Sequence, residues 1–206
     1  PDSNIYLKEE FTVFNSDRIA ALKTQGWIIE PGIDPSSTVL GRNDLGNTVK
    51  CVQIYRNNPT APAAPPESAN YPTQLYMPFS SNASGDIVAE IVATSDLNTK
   101  LKTINFVDTD GNAVFDLTFG IKSAKTVSVL GTNITTDFVS GTYYRYKFVI
   151  NTVNKTLSVY VDDVQKITDK SFSTWTGAAL KGLDLTITGS DFGAVRIDSV
   201  NVYRPE

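Results

Sequence analysis

The chain has 206 residues, a hydrophobic fraction of 41%, a charged fraction of 19% and a formal net charge of -4. That length suits one large all-β domain or two small ones with a real core, and the acidic balance leaves no basic footprint for nucleic acid and no grip on anionic membranes. Histidine is absent and Cys51 is the only cysteine, which removes Ser-His-Asp and Cys-His catalysis, histidine metal sites, an intramolecular disulfide and a cysteine-rich metal centre.

Residues 5–14, IYLKEEFTVF, read as an opening strand with Glu9 and Glu10 at its centre, 17–22 as a short helical turn, and 25–29, containing Trp27, as extended chain. Residues 31–37 read as loop and 49–55 as a strand in which Cys51 is a small buried hydrophobe. The stretch 58–72 carries five prolines in fifteen positions, a composition that favours extended, unpaired chain. We read it as a surface loop inserted in a single domain spanning 1–206, not as a linker, because the residues before it are too few to bury a core alone.

Strands follow at 74–79, 87–93, 102–107, 113–119 and 126–130, with the Asp-Gly turn of Asp108 to Asn112 marking a hairpin. The strongest signal is 141–163, a long hairpin in which Tyr144, Tyr146, Phe148 and Ile150 share one face with Leu157, Val159 and Val161. Residues 151–155 supply its turn and Asp162-Asp163 the next one. Last strands are expected at 183–188 and 194–203. About a dozen short strands and no long helix indicate a two-sheet antiparallel β-sandwich. No apolar run reaches the about 18 residues of a membrane-spanning helix. The start at Pro1 reads as a processed or excised piece of a longer protein, so a missing signal peptide is uninformative.

Three patterns taken in order resemble a known family. They are the acidic-aromatic Glu9-Glu10-Phe11 followed by Gly26-Trp27; Gly141-Thr142-Tyr143-Tyr144 leading to an Asn-Lys turn and Leu157-Ser158-Val159-Tyr160-Val161-Asp162; and the closing run from Val195 to Tyr203. This order resembles the concanavalin A-like (laminin G-like) jelly-roll domains appended to secreted bacterial polysaccharide-degrading enzymes. It departs from them at the Pro-rich loop, and Tyr143 stands where many relatives carry tryptophan. The resemblance implies two packed antiparallel sheets and, often, glycan binding. It also implies a secreted or cell-surface location, covalently linked neighbouring domains, and a structural calcium clasped by acids near the first and last strands, here Glu10 and Asp198. The plainer reading of Asp198, whose parity matches Val200 and Val202, is a salt bridge or bonds to backbone amides.

For catalysis, glycosidases of this fold typically alternate acids along one strand as Glu-x-Asp-x-x-Glu, and no such run occurs: Glu90 stands alone, and Glu9 and Glu10, being adjacent, face opposite ways. Asp108-Thr109-Asp110-Gly111-Asn112 mimics the start of a calcium loop, but Phe119 occupies the twelfth position, so a hairpin turn explains it better. For glycan binding, Trp175 sits among small polar residues and reads either as an exposed ring or as a plug over one end of the sandwich. Tyr71 and Tyr76 flank the Pro-rich loop and form a second candidate rim. Tyr143, Arg145, Lys147 and Tyr160 share the non-core face of the central hairpin, a face that suits an acidic or hydroxyl-rich polysaccharide or is simply solvated. The expectation is a non-catalytic carbohydrate-binding or accessory module of a polysaccharide-active protein. The alternatives are a structural or adhesion domain without a sugar site, and a histidine-free lyase or hydrolase.

Overall fold

The computed structural model describes residues 4–13, 15–30, 37–43, 50–56, 73–96, 102–121, 123–172, 174–187 and 193–206. In chain order the elements are β1 (Ile5–Glu9), α1 (Ser16–Thr24), β2 (Ile28–Glu30), β3 (Ser37–Asn43), β4 (Lys50–Arg56), β5 (Thr73–Ala83), β6 (Asp86–Ser95), β7 (Lys102–Asp108) and β8 (Ala113–Phe119). Then come β9 (Val127–Val129), β10 (Thr132–Thr135), β11 (Tyr144–Asn151), β12 (Thr156–Val161), β13 (Val164–Ser171), β14 (Leu180–Ile187) and β15 (Gly193–Tyr203). The Pro-rich stretch and Tyr71 lie outside the described residues.

Two antiparallel sheets result. An eight-stranded sheet runs β13-β12-β11-β6-β15-β4-β3, with β1 also on β15, and a seven-stranded sheet runs β10-β9-β8-β7-β14-β5-β2. One edge of β15 is shared end to end, its first half pairing with β4 and its second half with β1. The central hairpin pairs Tyr146 with Val161, Phe148 with Val159 and Ile150 with Leu157, all six buried. Against these pack the inner residues of the other sheet: Phe148 lies 5.0 Å from Phe106 between ring centroids, and Phe119 meets Tyr146 edge-on at 5.9 Å. Alternation therefore does here what it must: one face of each strand enters a common dry layer and the other faces outward.

Four local features differ from the sequence reading. The opening strand stops at Glu9, because Phe11 takes a left-handed backbone (φ 48°) and turns inward to meet Trp27 edge-on. The helical turn extends to a nine-residue helix, capped by Asn15, whose side chain accepts from the Arg18 amide. Arg18 in turn pairs with the buried Glu9, whose other oxygen accepts from the Phe11 amide. Strands β3, β10 and β13 were not anticipated; β13 is an edge strand in which only Ile167 is buried, so little alternation shows. Finally, β15 carries a bulge at Asp198-Ser199, where the register against β6 slips. The slip resets parity, so Val195 and Ile197 and then Val200 and Val202 all face the core, and Asp198 sits half-buried at the irregularity.

Candidate functional site

The outward residues of the seven-stranded sheet come from strands far apart in sequence. Register places Ile28 opposite Tyr76, Tyr76 opposite Asp184, Asp184 opposite Asn105, and Asn105 opposite Asp116, one transverse row across five strands. Beside it, Gln74 lies opposite Thr186 and Thr103 opposite Thr118. Each of these residues alternates with a core residue, as Asp116 does between Phe115 and Leu117. The pleat thus gathers a carboxylate, amide and hydroxyl surface on the back of an apolar one.

Two features give this face shape. A cleft of 290 Å³ opens over it, bordered by Ile28, Gln74, Tyr76, Asn105, Lys181 and Asp184. The tip of the Tyr76 ring lies over Gly182: a Cβ added there would sit 2.7 Å from Tyr76 Cε2 and 2.8 Å from the Met77 carbonyl oxygen. Glycine makes room for the aromatic ring to lean along the sheet. Burial raises the Tyr76 hydroxyl above the ordinary tyrosine value and the charge of Asp184 adds to this, so the phenol stays protonated. The carboxylates are held from within the face. Asp184 accepts from Gln74 Nε2 at 2.7 Å on one oxygen and from Thr186 Oγ1 at 2.9 Å on the other, and Asp116 accepts from Thr118 Oγ1 at 3.1 Å.

The other candidates are distributed elsewhere. Trp175 is half-buried at one end of the sandwich, packed on Phe172 with centroids 5.9 Å apart. Its indole N–H donates to Asp108 Oδ2 at 3.0 Å, and the Lys155 ammonium lies 4.0 Å from its ring centroid while donating to the Gly177 carbonyl. Those surroundings correspond to the plug. Asp108 itself closes the β7–β8 hairpin, its Oδ1 accepting from the amides of Asp110 (3.0 Å) and Asn112 (2.8 Å), so the stretch that mimics a calcium loop is a turn. Burial pushes the Asp108 carboxyl up, but the amide and indole donors outweigh it and leave it below the ordinary carboxylate value.

On the outer face of the eight-stranded sheet, Arg145 is exposed and Lys147 and Tyr160 are half-buried, and Tyr143, just before β11, is half-buried as well. Lys147 faces Tyr160 across the hairpin, 5.9 Å from its ring, and faces Glu90 on the other side. A carboxylate therefore neighbours the cations that the hairpin sequence offered alone. Asp198 is raised by burial, partly offset by Ser199, and raised further by the nearby charge of Glu10. Two oxygen donors of like charge suit calcium in type, though calcium takes six to eight oxygens and, among the described residues, no three His, Cys, Asp or Glu side chains gather.

The row Tyr76-Asp184-Asn105-Asp116 escaped the sequence reading except for Tyr76. Its outward parity was visible in each strand, but the order in which strands pair was not.

The architecture is an all-β sandwich of two antiparallel sheets, consistent with a concanavalin A-like jelly-roll fold. Solved structures align over nearly the whole chain. A sialidase aligns with a TM-score of 0.71 and 13% identity over 98% of this chain, which spans only 19% of that longer protein. β-Agarase A from Zobellia galactanivorans aligns at 0.59 and 14% identity over 97% of this chain and 90% of its own. The carbohydrate recognition domain of Emp47p aligns at 0.52 and 8% identity over 96% and 100%. No family model and no curated protein matches the sequence. Among the described residues, no helix is long and apolar enough to cross a membrane.

Proposed function

We propose that the chain is a non-catalytic carbohydrate-binding module of a secreted or cell-surface polysaccharide-active protein, and that the outer face of the seven-stranded sheet holds the glycan. The observation that carries this is the Tyr76 ring leaning over Gly182 beside Asp184 and Asn105. Sugars present C–H-rich faces that pack on aromatic surface and rims of hydroxyls that need polar partners, and this row offers both. The module would act by proximity, keeping linked domains at a raised local substrate concentration. Among the aligned structures, the carbohydrate recognition domain bears a name consistent with this reading, and the name of the agarase supports its polysaccharide part alone.

A hydrolase is the second reading, favoured by one feature: Asp116 and Asp184 share this face two strands apart, roughly 10 Å between backbones, near the carboxyl spacing of inverting glycosidases. Against it, both oxygens of Asp184 already accept hydrogen bonds, which suits a fixed acceptor more than an acid about to give up a proton.

The test is affinity electrophoresis of the chain through gels containing soluble polysaccharides, with reducing ends and unsaturated products assayed in parallel. Retardation without product, lost in Tyr76→Ala, supports the binding module. Product that disappears in Asp116→Asn replaces it with the hydrolase. Neither retardation nor product leaves the structural-domain alternative.

A further inference from the structure

Three donors on the outer face of the seven-stranded sheet are spent on its own carboxylates. One N–H of Gln74 and the hydroxyl of Thr186 go to Asp184, and the hydroxyl of Thr118 goes to Asp116. A carboxylate only accepts, so these hydroxyls must be the donors, and their own lone pairs are left facing outward. Each carboxylate retains acceptor sites beyond the bonds it receives, since two oxygens offer about four. The face therefore shows a ligand the free acceptor sites of Asp184 and Asp116 around an aromatic ring, with the Asn105 amide and Lys181 as the donors beside them.

The charges agree. Asp116, Asp184 and Glu30 stand on this face, with Glu30 also 3.7 Å from Lys23. Among the described residues lining the cleft, Lys181 is the one cation, and its ammonium reaches to the Thr109 carbonyl at 3.4 Å. A uronate, sialate or sulfate would bring more acceptors and a like charge to a surface that already has both. A neutral glycan brings hydroxyl donors that the two carboxylates can accept from, and no like charge.

We infer that this cleft selects neutral, hydroxyl-donating polysaccharide and rejects anionic glycans, the chain lying across the strands along Tyr76, Asp184, Asn105 and Asp116. Three strand spacings give that row a length of roughly 14 Å, room for a few sugar units. The inference rests on the carbohydrate-binding reading and adds the charge class to it. It runs opposite to the hairpin face of the other sheet, where Arg145 and Lys147 suit an acidic chain.

Matched pairs of glycans that differ mainly in charge decide it: hydroxyethylcellulose against carboxymethylcellulose, agarose against carrageenan, and methyl-esterified against de-esterified polygalacturonan. Dissociation constants are measured by affinity electrophoresis at low and high salt. The expected result is retention by at least one neutral member, about tenfold or more tighter than by its charged twin at low salt. High salt should narrow the gap by screening, Asp116→Asn should narrow it without added salt, and Tyr76→Ala should abolish retention. Tighter binding of an acidic member, removed by salt and by Arg145→Ala with Lys147→Ala, would overturn the inference and leave carbohydrate binding standing. No retention by any polysaccharide would overturn both.

Discussion

Gly182→Ala is the substitution whose outcome the site geometry fixes most sharply. At an unobstructed strand position, replacing glycine by alanine stabilises by roughly 0.4–1 kcal/mol, because the unfolded chain loses freedom. Here the new Cβ would lie 2.7 Å from Tyr76 Cε2, 2.8 Å from its hydroxyl and 2.8 Å from the Met77 carbonyl oxygen. The ring can swing away, but the carbonyl belongs to the paired strand β5 and moves only with it. Overpacking of this kind costs about 1–3 kcal/mol, which for a chain of this length lowers Tm by roughly 2–12 °C. Thermal unfolding followed by far-UV circular dichroism reads the sign directly. The double variant Gly182→Ala/Tyr76→Ala should recover about 1 kcal/mol relative to additivity, since the two residues touch. Gly182→Ala should also weaken glycan retention by displacing the ring. A raised Tm with unchanged retention would refute the claim that Tyr76 lies over Gly182.

Three further outcomes follow from other parts of the molecule. Asp108 holds the β7–β8 turn and the Trp175 indole, and its folded carboxyl lies below the ordinary value of about 3.9. Its contribution to stability is thus complete above that value and lost as pH falls through the folded one; Asp108→Asn should flatten this acid limb, read by Tm and tryptophan emission between neutral pH and pH 2. Phe148→Ala, which empties a site bounded by Phe106 and Phe115, should cost about 3–5 kcal/mol in urea unfolding. If Glu10 and Asp198 clasp calcium, millimolar calcium should raise Tm over a chelator control, and Glu10→Gln with Asp198→Asn should erase that rise.

The sequence made the central hairpin readable because every inward residue from Tyr146 to Val161 keeps strict period two, and the observed register pairs them face to face. It hid β13, where Ile167 is the single buried side chain and polar residues fill both faces. The bulge in β15 left a trace that went unread: the apolar phase breaks between Ile197 and Val200, which is what an extra residue does to alternation. The site was hidden for a different reason. Gln74 and Asp184 bond across 110 positions of sequence, and local pattern fixes which way each points but not which strands become neighbours. For the same reason Lys147 looked free of acids until β6 brought Glu90 beside it. A search for paired acids along one strand could not find Asp116 and Asp184, which meet only through the pairing of β8, β7 and β14.

Glycan bound on the outer face of the seven-stranded sheet should be visible directly by amide chemical-shift mapping. A ¹⁵N-labelled sample would be titrated with oligosaccharides from whichever polysaccharide retards the chain. The largest shifts are expected at Tyr76, Asn105, Asp116, Gly182 and Asp184, with the indole N–H of Trp175 unmoved. Shifts concentrated instead at Arg145, Lys147 and Tyr160, or at Trp175, would contradict that placement.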